Sequence, residues 1–159
     1  MAVFVANESG VILNESALAA LARHVLNAMH VDPLAELSVL LVDVASMTRL
    51  HEKWMGEPGP TDVLAFPMDE LASQADFAAD AGEETTPEPT LLGDVVLCPE
   101  VAQAQAREHG QDLDSELWML ATHGVLHLLG FDHADPEEER VMFARQGELL
   151  HSWQAAGTS

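Results

Sequence analysis

The residues best able to do chemistry are His123, His127 and His133, which fall together in the run HGVLHLLGFDH. Four positions separate the first two, slightly more than one helical turn, so on a helix both imidazoles leave the same face. Gly130 lies between the second and third histidines, where it can adopt the positive backbone angle that ends a helix and turns the chain back. His133 then approaches the other two. Two histidines on the apolar side of a helix need polar partners, and a shared metal ion supplies them together. Neutral imidazoles suit zinc, with nickel, copper or iron open to the same donor set. Three protein ligands leave a position for water, which zinc makes acidic enough to ionise near neutral pH.

The spacing H-x3-H-x5-H equals that of the metzincin proteases, in which a glutamate after the first histidine activates water against a peptide bond. Here that position is Gly124. Peptide hydrolysis by that route is disfavoured, and phosphodiester cleavage becomes the natural use of the metal. The spacing names no general base or nucleophile. His24, His30, His51, His109 and His151 read as ordinary surface or core residues.

The elements that must position this site follow from patterning. MAVFVAN reads as a first strand. Asn14 reads as an N-cap, with Leu18, Leu21, Val25, Leu26 and Met29 at helical spacing until Val31-Asp32-Pro33. The run Leu37 to Val44 suits a central strand covered on both faces. Ser46 can cap a short helix through Trp54, EPGP forces a turn, and Asp62 to Pro67 forms a third strand. Residues 91 to 99 form a fourth. Three helices follow: Pro99 to about His109, Ser115 to Leu129, and Pro136 to about Trp153. The proline at each outer start is a first-turn residue, and Gly130 closes the middle helix. The predicted class is α+β: a single domain over 1–159, a mixed sheet of about four strands with about five helices, and the metal site at the end of a central helix. Residues 68–90 read as an acidic flexible insertion; seven acidic residues and no Lys or Arg occur between Met68 and Pro89.

Composition bounds the partners. The chain has 159 residues, 48% hydrophobic and 21% charged, as expected of one globular domain. No apolar run is long enough to span a bilayer. The first residues lack the basic start of a secretory signal, and the one cysteine, Cys98, cannot form an internal disulfide, so a cytoplasmic setting is expected. Six basic residues against 27 acidic ones give a formal charge of -21, which opposes unaided binding of polyphosphates.

HGVLHLLGFDH, together with GPTDVLAFP at 59–67 and LLGDVVL at 91–97, resembles the YbeY family of bacterial endoribonucleases. The resemblance implies a single-strand-specific, zinc-dependent endoribonuclease acting in late 16S rRNA 3′-end maturation and ribosome quality control. It implies one Zn2+ (or nickel or another transition metal) on His123, His127 and His133. Its implied partners are ribosomal RNA and the small ribosomal subunit or its proteins, with neither membrane nor DNA. It makes Thr61, Asp62 and Phe66 part of an element lining the same cleft, and Gly93 and Asp94 part of the neighbouring strand. Asp132 can orient a ligand imidazole. The chain departs from the family pattern at Met55, where an arginine contacting RNA phosphate is expected; Lys53 and Arg49 are the nearest cations. Ala65 and Cys98 stand where serines are common. Two other readings remain: a non-catalytic ribosome-assembly factor whose acidic surface binds basic ribosomal proteins, and a metzincin-like peptide hydrolase.

Overall fold

The computed structural model describes residues 2–67, 90–132 and 134–157. Four strands and five helices occur among them: β1 (Ala2–Asn7), α1 (Glu15–Ala28), β2 (Ala35–Leu41), α2 (Val44–Met55), β3 (Val63–Pro67), β4 (Thr90–Leu97), α3 (Pro99–His109), α4 (Leu113–Leu128) and α5 (Pro136–Gly157). The strand order is β1-β2-β4-β3. β1 and β4 both run parallel to β2, and β3 pairs antiparallel with β4, Val63 opposite Leu97 and Pro67 opposite Gly93. The mixed α+β sheet is therefore as expected.

Capping carboxylates and amides place the helices. The Asn14 side chain accepts the Ala17 N–H at 3.0 Å, as its sequence context predicts. Asp43, not Ser46, caps α2: its carboxylate accepts the Ser46 N–H at 2.8 Å. That capture starts the helix at Val44 and ends β2 at Leu41, so the apolar run divides between a strand and a helix. Asp112 does the same for α4, which begins at Leu113 rather than Ser115. The Ser46 and Ser115 amide hydrogen bonds hold the Asp43 and Asp112 carboxyls below the ordinary carboxylate pKa. α5 runs beyond Trp153 to Gly157. The acidic insertion expected at 68–90 lies outside the described residues except for residue 90, which begins β4.

The two faces of the sheet are covered unequally. On one face Leu37, Val39, Leu41, Val95 and Leu97 pack against α1, α4 and α5 in the main core. On the other, α2 covers a smaller cluster of Val42, Met47, Leu64, Val96 and Cys98. Along β2 buried and half-buried residues alternate, so the second face is only partly closed. α4 is apolar nearly all round, with Leu117, Leu120, Ala121, Val125 and Leu126 buried, and this makes it the central helix.

Candidate metal centre

Both helical histidines stand on the last two turns of α4. His123 Nε2 and His127 Nε2 are 3.2 Å apart. Their rings lie 4.7 Å apart between centroids, at 76°. Two nitrogens each about 2.0–2.1 Å from a tetrahedral zinc stand about 3.3 Å apart, so the pair already has the bite of a chelate. Both side chains are half-buried and border a cleft of about 420 Å³ with Asp62, Val63, Ala65 and Met55.

α5 fixes the first of these two histidines. The side-chain oxygen of Gln146, a residue only 8% exposed, lies 3.0 Å from His123 Nδ1. An amide oxygen only accepts, so Nδ1 carries the proton and Nε2 presents its lone pair toward His127. Phe143 stacks on the same imidazole at 6.0 Å and 23°. A metal-ligating histidine characteristically gives its second nitrogen to such a partner, which sets its tautomer and orientation. Neither Gln146 nor Phe143 is signalled by the histidine motif. They come from the following helix, and only the packing of α5 on α4 brings them in.

After His127 the chain reverses as the glycine predicts. Gly130 has φ +101°, its N–H bonds to the His127 carbonyl at 3.1 Å, and the Phe131 N–H bonds to the Leu126 carbonyl at 3.0 Å. This is the paired hydrogen bonding of a Schellman C-terminus. The third expected ligand, His133, lies outside the described residues. Among the described residues no three histidine, cysteine or carboxylate side chains gather to hold an ion. The convergent Nε2 atoms and the Gln146 contact are what fit a zinc-class ion here.

Gly124 has a structural reason to lack a side chain. A Cβ there would stand 2.8 Å from Val95 Cγ1 and 3.3 Å from Val63 Cγ2. α4 thus lies directly on β3 and β4, and the first atom of any side chain would be driven into the sheet. Gly93 permits a second close approach. Its φ is +144°, and a Cβ would lie 2.2 Å from the Phe66 carbonyl oxygen, at the irregularity where β4 holds one residue more than β2.

The structure divides the other residues expected around the site. Asp62 borders the cleft, and its carboxylate accepts the Val63 N–H at 2.7 Å and the Thr61 hydroxyl at 3.3 Å. Thr61 therefore supports Asp62 and is not itself among the cleft-lining residues. The element expected to line the cleft does so through Asp62, Val63, Leu64 and Ala65, while the Phe66 side chain lines a separate groove with Asp94. Asp132 is exposed in the segment after α4. Met55 is half-exposed at the rim of both hollows.

Four of the remaining histidines have local structural settings. His24 bonds to Ser152 at 2.8 Å, and His51 to the Gly59 carbonyl at 2.9 Å. His109 bonds at 2.9 Å to the fully buried carboxylate of Glu116, which also accepts from Gln111. His30 occupies a positive-φ turn after α1.

Comparison with known proteins follows the same lines. Residues 4–154 match the family model described as Endoribonuclease YbeY. A protein of that name from Parafrankia sp. (strain EAN1pec) is 60% identical over 160 residues, covering 99% of this chain and 98% of the relative. Another, from Thermobifida fusca (strain YX), is 56% identical over 153 residues, covering 96% and 94%. The solution structure of TM1509 from Thermotoga maritima shares the fold, with TM-score 0.62, 23% identity, and coverage of 98% of this chain and 91% of that one.

Proposed function

Because this chain belongs to the endoribonuclease YbeY family, we propose that it cleaves single-stranded RNA at a zinc ion held by His123, His127 and His133. The observation that carries this reading is the 3.2 Å separation of His123 Nε2 and His127 Nε2 on one rigid helix. A bound zinc ion supplies Lewis acidity toward a phosphoryl oxygen and an activated oxygen nucleophile at neutral pH.

The chain's own residues supply position. α4 holds two ligands at chelating distance without any loop ordering. Gln146 keeps the proton on His123 Nδ1, and Phe143 screens that ring from solvent on one face. Asp62, braced by Thr61 and the Val63 amide, is the carboxylate that lines the cleft among the described residues and can orient a polar group of the substrate. Gly124 and Val63 give that floor a smooth backbone-and-methyl surface with no side-chain base of the protease kind.

The cellular role consistent with this chemistry is late maturation of the 16S rRNA 3′ end and ribosome quality control, in the cytoplasm. Its substrate is then RNA within the small ribosomal subunit. No helix among the described residues is long and apolar enough to cross a membrane. The net charge of -21 favours a second reading, an assembly factor that binds basic ribosomal proteins without cutting RNA. One comparison separates the two: zinc content and cleavage of a small-subunit RNA fragment, wild type against His127→Ala. The first reading expects the variant to lose metal and cleavage together. Equal cleavage by the metal-free protein and the wild type would remove it, and normal RNA processing in cells carrying His127→Ala would establish the second.

A further inference from the structure

A groove on the α2 side of β3 is left unused by the proposed metal site. It has a volume of about 520 Å³ and is lined by Leu40, Leu50, Trp54, Phe66 and Val96, with Asp94 its one ionisable residue among the described residues. The Trp54 and Phe66 rings meet edge to face, 5.9 Å apart at 65°. Trp54 is 56% exposed, and with Phe66 it gives the groove an accessible aromatic wall. Lys53, the chain's only lysine, sits with its Nζ 5.3 Å from the centre of the Trp54 ring.

This groove is continuous with the metal cleft. Met55, Ala65 and Pro67 line both hollows, which lie on opposite faces of β3. β3 has one partner, β4, among the described strands and so forms the edge of the described sheet, with the shared residues joining the two hollows around it. An extended strand of nucleic acid crossing that edge would place a phosphate beside His123 and His127 and a neighbouring nucleotide beside Trp54.

Charge decides what that nucleotide offers. A net charge of -21 opposes long-range attraction of a phosphate backbone, so beyond the local contacts at the histidines and Lys53 the uncharged part of the nucleotide must contribute affinity. Aromatic stacking supplies such affinity and tolerates many base sequences. Asp94 adds a selection. A carboxylate accepts hydrogen bonds, so it pairs with the exocyclic amino groups of adenine, cytosine or guanine, whereas uracil offers it only an N3–H flanked by two carbonyl oxygens that repel it.

We propose that the Trp54–Phe66 groove binds one unstacked, amino-bearing base of the RNA whose backbone lies in the metal cleft, with Lys53 on the adjoining phosphate. The inference rests on reading the cleft as an RNA-cleaving site, and it makes the groove a substrate-positioning and specificity element of that site.

Its test is equilibrium binding of short fluorescent RNAs to the zinc-loaded, full-length protein, with cleavage followed in parallel. The probes are oligoadenylate, oligouridylate and an abasic ribose-phosphate oligomer of equal length. Oligoadenylate is expected to bind about tenfold or more tighter than the abasic chain. Trp54→Ala should remove most of that gap while keeping zinc content, and Trp54→Phe should restore part of it. Asp94→Asn should narrow the difference between oligoadenylate and oligouridylate. Equal binding of intact and abasic chains by the wild type would overturn the inference, even if cleavage remained dependent on His127. The same holds if the preference for bases survives Trp54→Ala unchanged, or if a lysine-rich peptide binds in a Trp54-dependent manner while bases have no effect; the last result would give the groove to a protein partner. Absence of cleavage with base-dependent binding intact would instead refute the reading of the metal cleft and leave the groove assigned.

Discussion

Gln146→Met isolates what α5 contributes to the proposed metal centre. Methionine keeps the length and approximate volume of glutamine in a site only 8% exposed, but it removes the strong oxygen acceptor 3.0 Å from His123 Nδ1. Two effects follow. The Nδ1–H loses its partner, at about 1–3 kcal/mol if water does not replace it. The ring also loses its bias toward the tautomer that offers Nε2 to the ion. Removing such supporting partners typically weakens metal affinity by about 10- to 100-fold, or about 1.4–2.8 kcal/mol. Zinc affinity measured by competition with a chromophoric chelator should fall within that range. Gln146→Glu, which supplies a stronger acceptor at the same reach, should retain or raise affinity. Equal affinity in Gln146→Met and wild type would show that the contact does not support a metal ligand. A Gln146→Glu variant weaker than Gln146→Met would refute the tautomer argument itself.

Three further outcomes are expected. Gly124→Ala should lower stability by up to about 2 kcal/mol: overpacking against Val95 costs about 1–3 kcal/mol, while leaving glycine in a helix gains about 1 kcal/mol. A thermal melt checks this, and a stabilised variant would contradict the close contact of α4 with the sheet. The Asp43 carboxyl has its pKa lowered by the Ser46 amide, so its stabilisation is complete above the ordinary carboxylate pKa and is lost as pH falls through the folded value. Asp43→Asn, which keeps a capping acceptor but does not titrate, should show a shallower loss of stability on acidification; an unchanged acid limb would exclude Asp43 as a contributor. Cys98 is fully buried, and burial raises its thiol pKa, so alkylation at neutral pH should be slow in the native protein and fast in denaturant. Rapid labelling of the native protein would place the thiol nearer the surface than the packing of β4 allows.

Local signals are readable wherever one residue dictates a backbone state. Asn14, Pro99, Pro136 and Gly130 each do what their chemistry predicts, because a cap, a proline at a helix start and a positive-φ glycine need only near neighbours. The apolar run from Leu37 is harder. Periodicity cannot tell a buried strand from a buried helix start, and the Asp43 carboxylate decides the boundary. Phe66 faces the second groove rather than the cleft of His123 and His127; which face of β3 carries the histidines is not legible in the sequence. Gln146 is beyond sequence reasoning, since its role exists only through the packing of α5 against α4.

The close seat of α4 on the sheet also bears on how this histidine spacing can change its chemistry over time. A histidine spacing shared with proteases suggests that one substitution, glycine to glutamate, separates the two trades. Here that step begins with a collision, because the Cβ of any residue at position 124 meets Val95 before its carboxylate exists. A residue with a Cβ at position 124 carries that overpacking cost unless Val95 becomes smaller, which loosens the core beneath the site. The barrier between the two catalytic classes is thus set by the distance between a helix and a strand, and neutral drift at the histidines alone does not cross it.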